Sequence, residues 1–344
     1  MGSLENIESR KSKIANRFIS LGKGLLAYPD SARNWYASAC EYATKVIQEN
    51  HVDVLLSSSS PVTTHIIANT IKRKHRLPWV ADLRDLWTQN HYYSYGSLRK
   101  IIERRLEQRT LQEADALVTV SQPLAETLRL LHKQERILSI TNGFDPDDHA
   151  ALPLTREFTI TYTGQLYEGK RDPRMLLTAI RELLDIKLID ESRVRIRFFG
   201  PKAPWLENFV KDNNLEAVVS FELVDRATAL KKQAESQILL LLNWDDPNER
   251  GVYTGKLFEY LGAKRPIISI GGLDGVVKEL LYETNAGIFC GRDRECIKRT
   301  ISSYYRQFIK NGSVDFCGNV RAMDKYSQRE MARKYSDILS RLSK

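Results

Sequence analysis

No apolar run in this 344-residue chain comes near the roughly 20 residues a membrane-spanning helix needs. The longest stretches, such as Ile238–Leu242, stop at five. Cysteine is scarce: Cys40, Cys290, Cys296 and Cys317 stand far apart or at spacings without metal logic, with no Cys-x-x-Cys and no paired Cys/His cluster. A zinc-stapled or disulfide-framed fold is thereby excluded, and a reduced cytoplasmic protein is expected. Met1-Gly2-Ser3-Leu4-Glu5 leads into a mixed-charge segment without the apolar core of a signal peptide. No Gly-x-Gly-x-x-Gly follows any expected strand, which argues against a dinucleotide-dependent oxidoreductase. Short-period repeats and low-complexity tracts are also missing. Basic residues do not interleave with aromatics on a strand, so nucleic-acid binding has only net charge in its favour and is not expected.

What is present is the balance of a globular protein with room for two domains, 42% hydrophobic and 28% charged. The net charge of +9 favours anionic partners, but the helical tail from Arg292 onward alone carries +7. Short β-rich runs alternate with amphipathic stretches, the pattern of parallel sheets covered by helices, so the fold class is α/β. In the first half, strands are expected at Val52–Leu56, Trp79–Asp82, Ala116–Val120 and Ile137–Ile140, with helices near Thr64–Lys74, Leu98–Ala114 and Pro123–His132. The turn-rich segment from Asn142 to Asp148 sets a boundary. The second half offers six strands, at Phe158–Tyr162, Val194–Phe199, Val218–Phe221, Ile238–Leu242, Ile267–Ile270 and Gly287–Phe289. The expected domains are therefore 1–150 and 151–325, followed by a C-terminal helix, 326–344, packing back toward the first domain.

In open parallel sheets ligands bind beyond the carboxyl ends of the strands, and the residues there are the ones that can carry chemistry. Thr163-Gly164-Gln165 through Lys170 follows the first strand of the second half: the glycine lets backbone approach a ligand and Lys170 can neutralise a phosphate. A plain strand-to-helix turn with a solvated lysine is the alternative. Thr254-Gly255-Lys256-Leu257 opens a helix, where backbone amides favour a diphosphate, and Glu259 one turn later can accept two hydrogen bonds from vicinal ribose hydroxyls. Its alternative is an ordinary surface charge. In the first half, Asp82-Leu83-Arg84-Asp85 runs off a strand end, suited either to a polar acceptor and a leaving phosphate or to a structural ion pair. Ser57–Ser60 reads as a loop after a strand, able to bond a sugar.

Taken in order, these segments resemble family 4 of the nucleotide-sugar-dependent glycosyltransferases. The matching pieces are Asp53-Val54 with Ser57–Pro61, Pro78–Trp87, Asn142-Gly143-Phe144-Asp145, Tyr162–Gln165 with Lys170, and Gly255–Leu261 with Pro266, spanning about residues 25 to 340. The resemblance implies a GT-B fold, two Rossmann-like domains facing across a cleft, and transfer of a sugar to a hydroxyl acceptor with retention, in polysaccharide or glycolipid synthesis. It implies donor-binding roles for Gly164, Gln165, Lys170, Gly200, Pro201, Leu223, Val224, Thr254, Gly255, Lys256, Leu257 and Glu259. It places Arg84, Asp85 and Lys170 at the chemistry, and Ser58, Ser59 and Asp82 on the acceptor side.

Two positions depart from the family pattern. Gly251 stands where the first glutamate of the Glu-x7-Glu motif belongs, and Gln165 where an arginine is common. Helical sequence also replaces the family's opening strands, so the first domain is expected to be incomplete, with Val52–Leu56 as an exposed edge. A non-catalytic nucleotide-sugar-binding or partner protein is the alternative function, with a second copy or a completing partner chain at that edge. No cofactor and no metal is expected, the nucleotide sugar being substrate, although Asp245-Asp246 follow a strand. The basic helix Leu98–Leu106 suits an anionic membrane surface near a lipid-linked acceptor, on the inner face; a solvated face interleaved with Glu103 and Glu107 is its alternative.

Overall fold

The computed structural model describes residues 28–93, 95–134, 136–147 and 152–343. Of the expected helical opening of about 50 residues, the part up to residue 27 lies outside them, as does the linker at 148–151. The chain divides into two compact units, one formed by the described residues up to Ile140 together with those from Ser336 on, the other by Thr141–Tyr335.

The first unit runs α1 (Tyr36–Glu49), β1 (Leu55–Ser59), α2 (Thr63–His75), β2 (Trp79–Leu83), α3 (Ser97–Leu111), β3 (Ala116–Thr119), α4 (Gln122–Leu131) and β4 (Ile137–Ser139). Its four strands are parallel in the order β1-β2-β3-β4. Every residue of β2 and β3 is buried, as expected of central parallel strands covered on both faces. Among the described residues β1 is the sheet edge, with Leu56 51% exposed, and α1 has no buried residue.

β1 corrects the sequence-based expectation. It starts at Leu55 and takes in Ser57, Ser58 and Ser59, which read from sequence as a loop. The register with Ala81–Leu83 continues through the serines. Ser57 is held inside by hydrogen bonds with His65 Nδ1 and Trp79 Nε1, both 2.8 Å. Those bonds outweigh the weak strand preference of serine.

The second unit contains β5 (Phe158–Thr163), α5 (Arg174–Asp185), β6 (Val194–Phe199), α6 (Pro204–Asp212), β7 (Val219–Glu222), α7 (Arg226–Ala234), β8 (Ile238–Leu242), α8 (Gly255–Ala263), β9 (Ile267–Ile270), α9 (Val276–Thr284), β10 (Gly287–Gly291), α10 (Arg294–Asn311) and α11 (Val320–Asp324); α12 (Gln328–Leu342) begins in it. All six strands are parallel, in the order β10-β9-β8-β5-β6-β7. The unbroken apolar run of β8 follows from that position: Ile238, Leu240 and Leu242 enter one core and Leu239 and Leu241 the other. Asn142–Asp145 docks within this unit, Phe144 pairing with Ser327 by backbone hydrogen bonds to Tyr326 and Gln328. Both sheets are those of Rossmann-like units.

Candidate functional site

The chain leaves β5 toward β6 and β7 on one side and returns on the other as β8, so the sheet has a topological switch point between β5 and β8, where such folds open a crevice. Direct pairing of these strands is confined to Ile160–Ile238 and Thr161–Leu239. Beyond it, the ends carry Gly164-Gln165 on β5 and Asn243-Trp244 on β8. Gly164 has φ +109°, and a Cβ there would run into the Lys256 side chain. Gly200, at the end of β6, is required for a different reason: a Cβ would sit 2.3 Å from the Gly164 carbonyl oxygen.

Lys256 lies across this strand end, with its ammonium 5.9 Å from the Tyr162 ring centroid. Burial, with nearby Arg171 acting in the same direction and Glu259 opposing, lowers its pKa to about 8. Lys170 lies 4.2 Å from the ring centroid of Trp244, a cation–π position that holds the ammonium over the crevice-side loop. Arg171 adds a third cation. At the start of α8, the Leu257 N–H bonds the Thr254 carbonyl, leaving the Gly255 and Lys256 amides to point out of the helix. A Cβ on Gly255 would meet nothing within 4 Å, so packing does not explain that glycine. The Thr254 hydroxyl is buried with no partner among the described residues. Glu259, half-buried, accepts a hydrogen bond of 3.1 Å from Gln233 Nε2, which also donates to Thr163 Oγ1 at 2.9 Å.

In the first unit, Asp82 is buried. It accepts hydrogen bonds from Ser58 Oγ at 2.8 Å and Arg84 Nε at 3.0 Å. Arg84 also donates to the Ile140 carbonyl at 2.8 Å. The structural ion pair is therefore formed between Asp82 and Arg84, while Asp85 is exposed. Ser59 is buried with its hydroxyl unpartnered among the described residues.

Residues 10–148 match the family Glycosyltransferase Family 4. HepE from Anabaena, solved in complex with UDP, superimposes with a TM-score of 0.63 at 14% identity, covering 86% of this chain and 81% of that one. A glycosyltransferase from Rickettsia africae gives 0.63 at 14%, covering 89% and 81%. The lipopolysaccharide outer core galactosyltransferase WaaB gives 0.59 at 12%, covering 89% and 80%. The chain is a GT-B protein with a family 4-like N-terminal part. Comparison with curated protein sequences finds no match.

Within this GT-B chain, the structure brings Gly164, Gln165, Lys170, Thr254, Gly255, Lys256 and Glu259 to the β5 and β8 side of the second sheet. Leu257 is the exception among the expected amide donors, since its N–H is committed and its side chain is buried. Pro201 and Leu223 follow β6 and β7 and are exposed, Leu223 at 74%, with Val224 half-buried.

Four contributors were not anticipated. Trp244 and Arg171 were legible, the first as an aromatic two residues beyond a strand, the second beside Lys170. The Gly271-Gly272 turn after β9 was legible as a glycine pair; both have positive φ, and Gly272 N–H bonds Asp245 at 2.6 Å. Asp245 also pairs with Arg292 at 2.9 Å, so its carboxylate is engaged within the protein. Gln233 had no local signal, because its role arises from the packing of α7 against α8. Among the described residues no helix is long and apolar enough to cross a membrane.

Proposed function

We propose that this chain transfers a sugar from a nucleotide-sugar donor to a hydroxyl acceptor, with retention, in polysaccharide or glycolipid synthesis. The observation that carries this reading is the convergence of Lys170, Arg171 and Lys256 with the start of α8 at the switch point, and Glu259 one turn further along. Three cations and outward-pointing amides suit a diphosphate, and a carboxylate fixed by Gln233 suits a ribose diol. HepE, of the same fold, has been solved with UDP and with UDP-glucose, which makes UDP the first probe.

In the transfer, the bond from the anomeric carbon to the diphosphate oxygen breaks and a bond to the acceptor oxygen forms, while the acceptor's O–H bond breaks and its proton passes to the departing diphosphate oxygen. The charge released on the diphosphate is met by those three cations, and this is where transition-state stabilisation arises. The scheme calls on no metal and no cofactor. Arg84 acts with Asp82 and Ser58 on the acceptor side, its guanidinium held in place by Asp82 and Ile140. The site of action is the cytoplasmic face of a membrane that carries the acceptor.

Calorimetry with UDP and its sugars, followed by a transfer assay over a donor panel, tests the proposal. Binding with transfer supports it. Binding without hydrolysis or transfer of any donor would favour a nucleotide-sugar-binding partner protein instead. Absence of any nucleotide binding removes both.

A further inference from the structure

Cys290 and Cys296 have a spacing that announces nothing in the sequence, yet the fold brings their sulfurs to 2.7 Å. Cys290 stands near the end of β10, 5% exposed, in the same core as Ile297 and Ile301. Cys296 lies half-buried in the first turn of α10, where its N–H donates to the Asp293 carboxylate at 2.9 Å. The Thr300 hydroxyl, one turn further along α10, approaches the Cys290 sulfur at 3.6 Å. A strand end and a helix start thus hold the two side chains toward each other.

Thiols that only fill space stand further apart. Non-bonded heavy atoms rest about 3.5–4.0 Å from one another, and the sulfurs of a disulfide about 2.0 Å; this pair lies between, within a small side-chain rotation of bonding. A metal role has no support, because among the described residues no group of three or more His, Cys, Asp and Glu gathers to hold an ion. Burial, with the hydrogen bond from Cys296 acting the same way, pushes the Cys290 thiol up. Cys290 therefore keeps its proton, and Cys296 is the sulfur that solvent reaches.

We infer that Cys290 and Cys296 are a peroxide-reactive pair that closes reversibly into a disulfide. Cys296 loses its proton to water and its sulfur attacks hydrogen peroxide. The O–O bond breaks, Cys296 becomes a sulfenic acid, and the hydroxide that leaves takes up a proton. The Cys290 sulfur then attacks the Cys296 sulfur: the S–S bond forms, the S–O bond breaks, and the hydroxyl departs with the Cys290 proton as water. The two thiols are oxidised and the peroxide is reduced; a small thiol reverses the bond by exchange. The intervening turn is locked by it. In that turn the Gly291 carbonyl accepts the Gly271 N–H at 2.8 Å and Arg292 pairs with Asp245 at 2.9 Å, so oxidation is recorded beside the ends of β8 and β9.

Treatment of the full chain with hydrogen peroxide, followed by alkylation and peptide mass mapping, tests this. The four free thiols should fall to two, with the loss of two hydrogens confined to the segment carrying Cys290 and Cys296, and dithiothreitol should restore all four. Cys290→Ala should stop at the sulfenic acid on Cys296, captured by dimedone. Cys296→Ser should leave Cys290 reduced. Thermal melts show that both variants stay folded, and oxidised wild type should melt no lower than reduced, since the sulfurs already meet in the fold. None of these readouts involves a nucleotide, so the pair is tested apart from the transfer reaction. Four thiols persisting at peroxide levels that oxidise free cysteine, a stable sulfinic acid on Cys296 in place of the cross-link, pairing of either residue with Cys40 or Cys317, or a cross-linked form that melts well below the reduced one would each overturn the inference.

Discussion

The Lys256 side chain fills the space that a side chain on Gly164 would need: a Cβ there would stand 2.3 Å from Lys256 Cε and 2.5 Å from Nζ. The glycine thus admits the lysine to the end of β5, and its φ of +109° is strained for any other residue. Gly164→Ala is expected to cost about 1–3 kcal/mol of stability and to displace Lys256, lowering UDP affinity. Gly255→Ala separates the two effects, because its Cβ meets nothing. It should leave the melting temperature unchanged while obstructing approach to the α8 amides. If calorimetry and thermal melts show the two variants behaving alike, the division of labour between these glycines is wrong.

The lowered pKa of Lys256, about 8, gives a pH signature. Below that pH the ammonium is charged before ligand arrives; above it, a bound diphosphate must draw a proton onto the amine. UDP affinity should therefore be flat below pH 8 and weaken above it by up to about tenfold per pH unit. Lys256→Arg, permanently charged, should remove the bend. A bend that persists in the arginine variant would assign the titration elsewhere.

Glu259 and Gln233 form a carboxylate and its support. Glu259→Ala should weaken UDP binding by about ten- to a hundredfold, the range for hydrogen bonds to a charged group. Gln233→Leu leaves the carboxylate but not its orientation, and a loss of about three- to tenfold is expected. The specific readout is discrimination between UDP and 2′-deoxy-UDP, which Glu259→Ala should abolish and Gln233→Leu should reduce. Undiminished discrimination in Glu259→Ala would place the ribose elsewhere.

Much of the fold is legible in the sequence, for physical reasons that also mark the limit. Ile238–Leu242 reads as a central strand because an unbroken apolar run can be buried only on two faces. Gly164 and Gly255 follow from the rule that strand ends carry ligands. β1 was displaced because the pairing of Ser57–Ser59 depends on His65 and Trp79, contacts no serine-rich segment announces. The burial of Glu103 and Glu107 on α3 was equally hidden, since it is decided by their contacts with Trp87, Thr88 and His132 on other elements.

His65 supplies a prediction about stability. It is fully buried in the first unit, bonded to Ser57, and burial lowers its pKa from 6.5 to about 3. In the unfolded chain the ring takes a proton near pH 6.5; in the fold it does so only near 3. Between these values the unfolded state binds one more proton, so acid favours unfolding, and this contribution to stability is intact above 6.5 and lost as pH falls toward 3. The expected slope is about 1.4 kcal/mol per pH unit from this residue alone. Urea unfolding followed by tryptophan fluorescence, in which Trp79 lies 6.4 Å from the His65 ring, should show wild type losing stability from pH 6 to pH 4 more steeply than His65→Gln. The variant is expected to be less stable at neutral pH, having lost a fitted buried ring, so the test is the difference in slope and not the difference in level. Parallel slopes would show that His65 is protonated as readily in the fold as outside it.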